Sequence, residues 1–155
     1  MKSEFEGFVR GGGMNNPDMT SSHRSYLLLF RDPSPDTYRN LSQEERQRLL
    51  ERWNEWYAGL KRCGKVQHGH PLEPEGRVVS HLGGRVVDGP YVESKEAVGG
   101  YFYVVAADLD EAVLIARQCP GLQHGISVEV RPVAETCAVL RESIDSGAAI
   151  GAGPN

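Results

Sequence analysis

The sequence predicts an α+β domain with a ferredoxin-like split βαβ layout, in which two helices cover one face of an antiparallel sheet. Three observations carry that expectation. A short continuous apolar run stands at Tyr26–Phe30, two segments of helical periodicity each open on a capping pattern, and further extended segments lie between and after them.

The apolar run Tyr26-Leu27-Leu28-Leu29-Phe30 suits a central strand, ended by Arg31-Asp32-Pro33. Asp32–Asn40, with two prolines, reads as a loop. Ser42-x-x-Glu45 is a capping box, in which the Ser hydroxyl accepts from an early backbone N–H and the Glu reaches back to the cap. Leu49, Trp53, Tyr57 and Leu60 then form one apolar stripe, widened by Leu50 and Trp56, and Gly64 stands where a helix-ending glycine belongs. Lys65–Leu72 reads as extended, with Val66, His68 and His70 in alternation. Arg77–Leu82 and Arg85–Val87 flank Gly83-Gly84 as a hairpin, because two glycines adopt the positive φ of tight turns. Asp88-Gly89-Pro90 is expected to break that strand, and Gly100–Ala106 to form the next. Asp108-x-x-Glu111 caps a second helix whose buried face is read as Leu109, Ala112, Val113, Ala116 and Cys119, ending at Cys119-Pro120-Gly121. Ile126–Val130 is the last strand, closed by Arg131-Pro132.

The domain is expected at residues 25–134, after a disordered leader at 1–24 and before a partly disordered C-terminal extension at 135–155. Strands such as Tyr101–Val105 are apolar on both sides, so the face away from the helices needs cover, and packing sheet to sheet in a homodimer supplies it.

Composition narrows the function classes. The chain has 155 residues, 39% hydrophobic and 25% charged, with a net charge of -4, which argues against a nucleic-acid surface. No apolar run is long enough for a membrane helix, and no signal-peptide core stands at the N-terminus, so a cytoplasmic location is expected. Cys63, Cys119 and Cys137 form no C-x-x-C pair and imply no disulfide framework. Nucleotide-binding glycine loops and the serine-hydrolase elbow are absent.

The ordered series Val86-Val87-Asp88-Gly89-Pro90-Tyr91-Val92-Glu93-Ser94-Lys95-Glu96, Gly99-Gly100-Tyr101-Phe102, Asp108-Leu109-Asp110-Glu111-Ala112, Cys119-Pro120 and Val128-Glu129-Val130-Arg131-Pro132-Val133 resembles the YCII-related, or DGPF, family. Tyr26–Phe30 and the Gly64…Gly69…Leu72-x-Pro74 stretch look like its first half. Tyr91 departs from the family's Phe, keeping the ring and adding a hydroxyl, and Ser94 replaces a common Thr. The resemblance implies a dimeric α+β barrel, built from two ferredoxin-like protomers. It also implies a group in which enzymes with a His/Asp pair in a cleft have been proposed, and in which members are often encoded beside extracytoplasmic-function sigma factors. Fold analogy does not transfer function.

Asp88, at a strand end before Gly89-Pro90, is the first acid–base candidate; its structural alternative is an Asx-turn. His68 and His70 are two apart and face one side of a strand. One of them, His70, is the candidate partner of Asp88, while both can equally be surface histidines. A metal would need further ligands such as His81 or Asp88, and no compact ligand cluster is visible. Arg131 suits a carboxylate clamp or a salt bridge to Glu93 or Asp88. Tyr101, Tyr103, Trp53 and Tyr57 suit a pocket wall or plain core packing, and Glu93 a polar contact or a solvated loop. Cys119 reads as a small buried hydrophobe.

Two functional expectations result. The first is a homodimer with a small-molecule pocket and acid–base chemistry by Asp88 and His70, with Arg131, Tyr103, Trp53 and Glu93 binding substrate and with no metal or organic cofactor. The second is a non-enzymatic regulator associated with a sigma factor.

Overall fold

The computed structural model describes residues 22–34, 36–79, 86–89 and 97–145. The leader to residue 21, the Gly83-Gly84 turn, His81, Pro90, Tyr91, Glu93 and the tail beyond Asp145 lie outside the described residues.

Strand β1 (Arg24–Asp32) is followed by helix α1 (Gln43–Arg62), strand β2 (Val66–Pro71), and two short strands, β3 (Gly76–Val79) and β4 (Val86–Gly89). Then come β5 (Ala97–Ala106), α2 (Leu109–Ala116), a 3-10 turn at Pro120–His124, β6 (Ser127–Pro132) and α3 (Ala138–Asp145). The main sheet has the order β2-β5-β1-β6, and every neighbouring pair is antiparallel. β1–α1–β2 and β5–α2–β6 are therefore two βαβ units, each split by a strand of the other, which is the expected ferredoxin-like layout. Among the described residues β3 and β4 pair only with each other, and form an arm off the main sheet.

Period-two alternation decides which face each strand buries. Tyr26, Leu28 and Phe30 of β1 point to the same side as Phe102, Val104 and Ala106 of β5, and all are buried. α1 adds Trp56 and Leu60, and α2 adds Ala112, Ile115 and Ala116, to this one core. Both helices thus cover one face. The other face carries Leu27, Leu29, Tyr101, Tyr103 and Val105, all half-buried, and no described helix covers it.

Capping fixes α1 in place. The Ser42 hydroxyl accepts from the Glu45 N–H at 3.2 Å, and the Glu45 carboxylate accepts from the Ser42 N–H at 2.7 Å. The Ser42 backbone N–H, and after it the Ser42 hydroxyl, hold the Glu45 carboxyl below its ordinary range. Gly64, at φ 67°, ends the helix in the left-handed region. At α2, Asp108 accepts from the Glu111 N–H at 2.8 Å. Burial pushes the Glu111 carboxyl up, but the Ala107 N–H and Lys65 outweigh it and hold the group below its usual value.

Several boundaries and faces differ from expectation. Leu50 is 53% exposed and Leu109 45%, because each sits one step round its helix from the buried stripe. The apolar face of α2 turns on Ile115, which replaces Val113. The last turn before β6 coils into the 3-10 segment, with Cys119 and Pro120 buried against the core. Burial pushes the Cys119 thiol up to about 11, so it stays a protonated, inert side chain. β4 runs through Asp88 to Gly89, since both residues still pair with β3 (Arg77↔Asp88, Gly76↔Gly89). α3 lies in the segment expected to be partly disordered, and Val139 and Leu140 of it are exposed.

Candidate functional site

A cleft of about 620 Å³ opens between α1 and the sheet, within the range of small-molecule sites. Its apolar wall is built from Phe30, Trp53, Tyr57 and Phe102. These rings brace one another edge to face: Phe30 meets Trp53 at 5.0 Å and Phe102 at 4.9 Å between centroids. The polar groups on the lining are Asp32, Tyr38, Arg46, Asn54 and His70.

Bare backbone makes room for the cleft. A Cβ on Gly69 would lie 2.3 Å from the Phe102 ring, and one on Gly99 would lie 2.6 Å from the Asp32 carboxylate. The ladder between β1 and β5 slips at Phe30/Arg31: Phe30 faces Gly100, but Arg31 faces Val98, so Gly99 is an extra residue on β5. In a regular ladder Val98 would fall opposite Asp32 on the cleft side. The extra glycine turns Val98 toward Arg31 and the open face, and leaves unclad backbone beneath the carboxylate.

Asp32 continues the inward phase of Tyr26, Leu28 and Phe30, so its side chain enters the cleft. Its Oδ1 is buried and has no hydrogen-bond partner among the described residues. Burial therefore raises its pKa above the ordinary carboxylate value. Tyr38, from the turn before α1, is pushed up to about 12, chiefly by burial and then by the Asp32 charge. Its phenol stays protonated at neutral pH and can donate. A desolvated carboxyl beside a protonated phenol, in an aromatic cleft, can move a proton to or from a bound molecule.

The residues singled out from sequence are not brought together in one chain. Asp88 is 97% exposed on the β3–β4 arm, and its ion-pair partner is Arg77 across the hairpin at 3.6 Å. The expected Asp88–His70 pair is not formed, because β4 belongs to the arm and β2 to the main sheet. The His70 main chain borders the cleft beside Gly100, but its side chain shares the phase of His68 and meets the Tyr101 ring on the open face, away from Asp32. His68 stacks on Tyr103 at 5.0 Å on the open face, as the two-residue spacing predicts for the pair. Tyr101 and Tyr103 are on that open face and not in the helix-side pocket. Trp53 does line the cleft. Arg131 pairs with Glu129 at 3.7 Å, on the open face, where Glu129 also accepts from Arg31 at 2.6 Å. Glu93 lies outside the described residues. Among the described residues no group of three His, Cys, Asp or Glu side chains comes together as a metal site, and no helix is long and apolar enough to cross a membrane.

Asp32, Tyr38 and Arg46 escaped the sequence reading. Asp32 was legible in principle: it is the next even-numbered position after Phe30, which places a carboxylate at the inward end of an apolar strand. Arg31-Asp32-Pro33 instead reads as a strand terminator. Tyr38 and Arg46 carry no comparable signal, since only the fold of the turn and the first coil of α1 brings them to the cleft.

A ferredoxin-like α+β domain with an acid-bearing aromatic cleft is the class that fold and site define. The chain belongs to the YCII-related family, whose domain model matches residues 26–137. It is 32% identical over 111 residues to an uncharacterised protein of Rhizobium meliloti (strain 1021), a match that covers 70% of this chain and 90% of that relative. Among solved structures it is similar to 5-chloro-2-hydroxyhydroquinone dehydrochlorinase from Burkholderia phenoliruptrix AC1100, in complex with 2,5-dihydroxybenzoquinone. That likeness has 16% sequence identity and a TM-score of 0.43, covering 72% of this chain and 95% of that one.

Proposed function

We propose that the protein is a small-molecule-binding acid–base enzyme in which Asp32, not Asp88, transfers the proton. The observation that carries this reading is the unpartnered, buried Oδ1 of Asp32 on the wall of an aromatic cleft. A buried acceptor without a partner is rare in folded proteins and calls for a reason. A raised carboxyl pKa brings the group closer to the working pH, where it serves both as base and, once protonated, as acid. Tyr38 supplies a fixed donor and Trp53 the apolar surface for a flat ligand.

The open sheet face is proposed to meet a second copy of the chain. Its half-buried Leu27, Leu29, Tyr101, Tyr103 and Val105 are the apolar side of strands expected to be covered on both faces. Beside them Arg31, Glu129 and Arg131 place both signs of charge, so a two-fold partner finds complementary groups. No feature of the described residues favours the sigma-factor association.

The acid–base reading is tested by proton exchange. Small unsaturated or hydroxylated compounds that quench the cleft tryptophan are incubated in deuterated buffer and followed by NMR. The wild-type protein should speed exchange at a C–H beside a carbonyl or enol, and Asp32→Asn should slow it by about a hundredfold or more. Equal exchange by the two proteins would remove Asp32 from the mechanism.

A further inference from the structure

The cleft is polarised along its length. Asp32 stands at the sheet end, where β1 meets the β5 glycines, and Arg46 stands on the first turns of α1. The acids near Arg46 are already committed. Glu44 pairs with Arg48, Glu45 closes the capping box, Glu51 accepts from Gln47 at 3.0 Å, and Asp36 pairs with Arg39 at 2.8 Å. Arg46 forms no ion pair among the described residues. The partial positive charge of the α1 N-terminus adds to its own. Among the described residues, one cleft therefore holds an acceptor that lacks a donor and a cation that lacks an anion, with aromatic walls between them.

The geometry points to a ligand of defined class: a planar, unsaturated monoanion. We infer that its carboxylate, or an equally compact anionic group, meets Arg46, that its ring or conjugated body lies against Trp53, Phe30 and Phe102, and that a hydroxyl or N–H at its far end donates to Asp32. This rests on the acid–base cleft reading and adds to it the charge and polarity of the substrate. The two lone groups do not neutralise each other as an ion pair, and burial, not a cation, governs the Asp32 carboxyl. A ligand bearing a donor at one end and an anion at the other satisfies both at once, and Arg is the side chain best matched to a carboxylate.

Three probes separate the contributions: 4-hydroxybenzoate, phenol and benzoate, titrated against the full chain by tryptophan fluorescence and by calorimetry. The expected result is that 4-hydroxybenzoate binds at least about tenfold more tightly than phenol, as a charge-assisted contact would give. Arg46→Gln should cut that preference to below about threefold, and Arg46→Lys should keep part of it, since a point charge remains. Arg48→Gln, which changes a residue paired with Glu44 and away from the cleft lining, should leave the preference intact. Asp32→Asn should instead narrow the gap between 4-hydroxybenzoate and benzoate. Equal binding of phenol and 4-hydroxybenzoate, or a preference that survives Arg46→Gln, overturns the anion assignment and leaves the acid–base cleft standing. Binding of none of the three at millimolar concentration overturns both.

Discussion

The two faces of the central sheet are made from the same strands and differ in what they ask of their residues. On the helix side, Phe30, Phe102, Val104 and Leu28 interlock with Trp56, Leu60 and Ile115 into a core. The cleft forms there because three glycines and one bulge withhold side chains at the edge of that core. On the other side, Leu27, Leu29, Tyr101, Tyr103 and Val105 alternate with the core residues and stay half-buried. The lesson is a division by parity along each strand: one phase builds the core and the wall of the cleft, and the other leaves a half-buried apolar face, proposed above as the surface for a second copy. Strand β5 shows both, since Phe102 serves the first and its neighbours Tyr101 and Tyr103 the second.

The sharpest way to break the comparison is to truncate one ring on each face. Phe102→Ala should destabilise the fold by about 3–5 kcal/mol in urea denaturation, the usual cost of emptying an aromatic core position. Tyr103→Glu should cost far less in a dilute monomer, yet light scattering at micromolar concentration should give a dimer mass for the wild-type chain, as proposed, and a monomer mass for the variant. A Tyr103→Glu variant with unchanged mass would show that this face is not the contact.

A smaller effect tests the cleft side alone. The folded-state pKa of Asp32 is raised above its unfolded value, so the unfolded chain releases this proton first as pH rises. Asp32 therefore costs the folded state nothing below the ordinary carboxylate pKa, and an increasing amount as pH rises through the folded value. Asp32→Asn should raise Tm at pH 7 by on the order of 2 °C, and the gain should vanish in acid. A Tm that falls on substitution would mean that the carboxylate has a partner which holds it. The smallest expected effect is at Asp88. Asp88→Ala removes an exposed ion pair with Arg77, and should move neither Tm nor cleft binding measurably.

Much of the fold was legible because it rests on local rules. The capping box at Ser42 and Glu45, the glycine at 64 and the apolar run at Tyr26–Phe30 each act within a few residues, and each stands where the pattern puts it. The site was less legible because it rests on register. Whether Asp88 can meet His70 depends on which strands join the main sheet, and no local feature of Val86–Gly89 shows that these residues pair with Gly76–Val79. Likewise, the roles of Gly99 and Gly100 appear only when β1 is laid against β5. Tyr103 reads as a pocket residue beside Trp53, since both are aromatic and lie on elements expected to face the core, but strand parity sends it to the opposite face.

The β3–β4 arm has a consequence for how the chain tolerates change. It lies wholly within the connection from β2 to β5, two strands that are already neighbours in the sheet. Closing that connection is an entropic matter, and for a flexible loop each doubling of length costs only about 0.6 kcal/mol. The cleft, by contrast, is fixed by β1, β2, β5 and α1, whose pairing and packing are made outside the arm. The arm is thus the place where the chain can be lengthened, shortened or given a foreign peptide at little thermodynamic expense, while the geometry around Asp32 stays as it is.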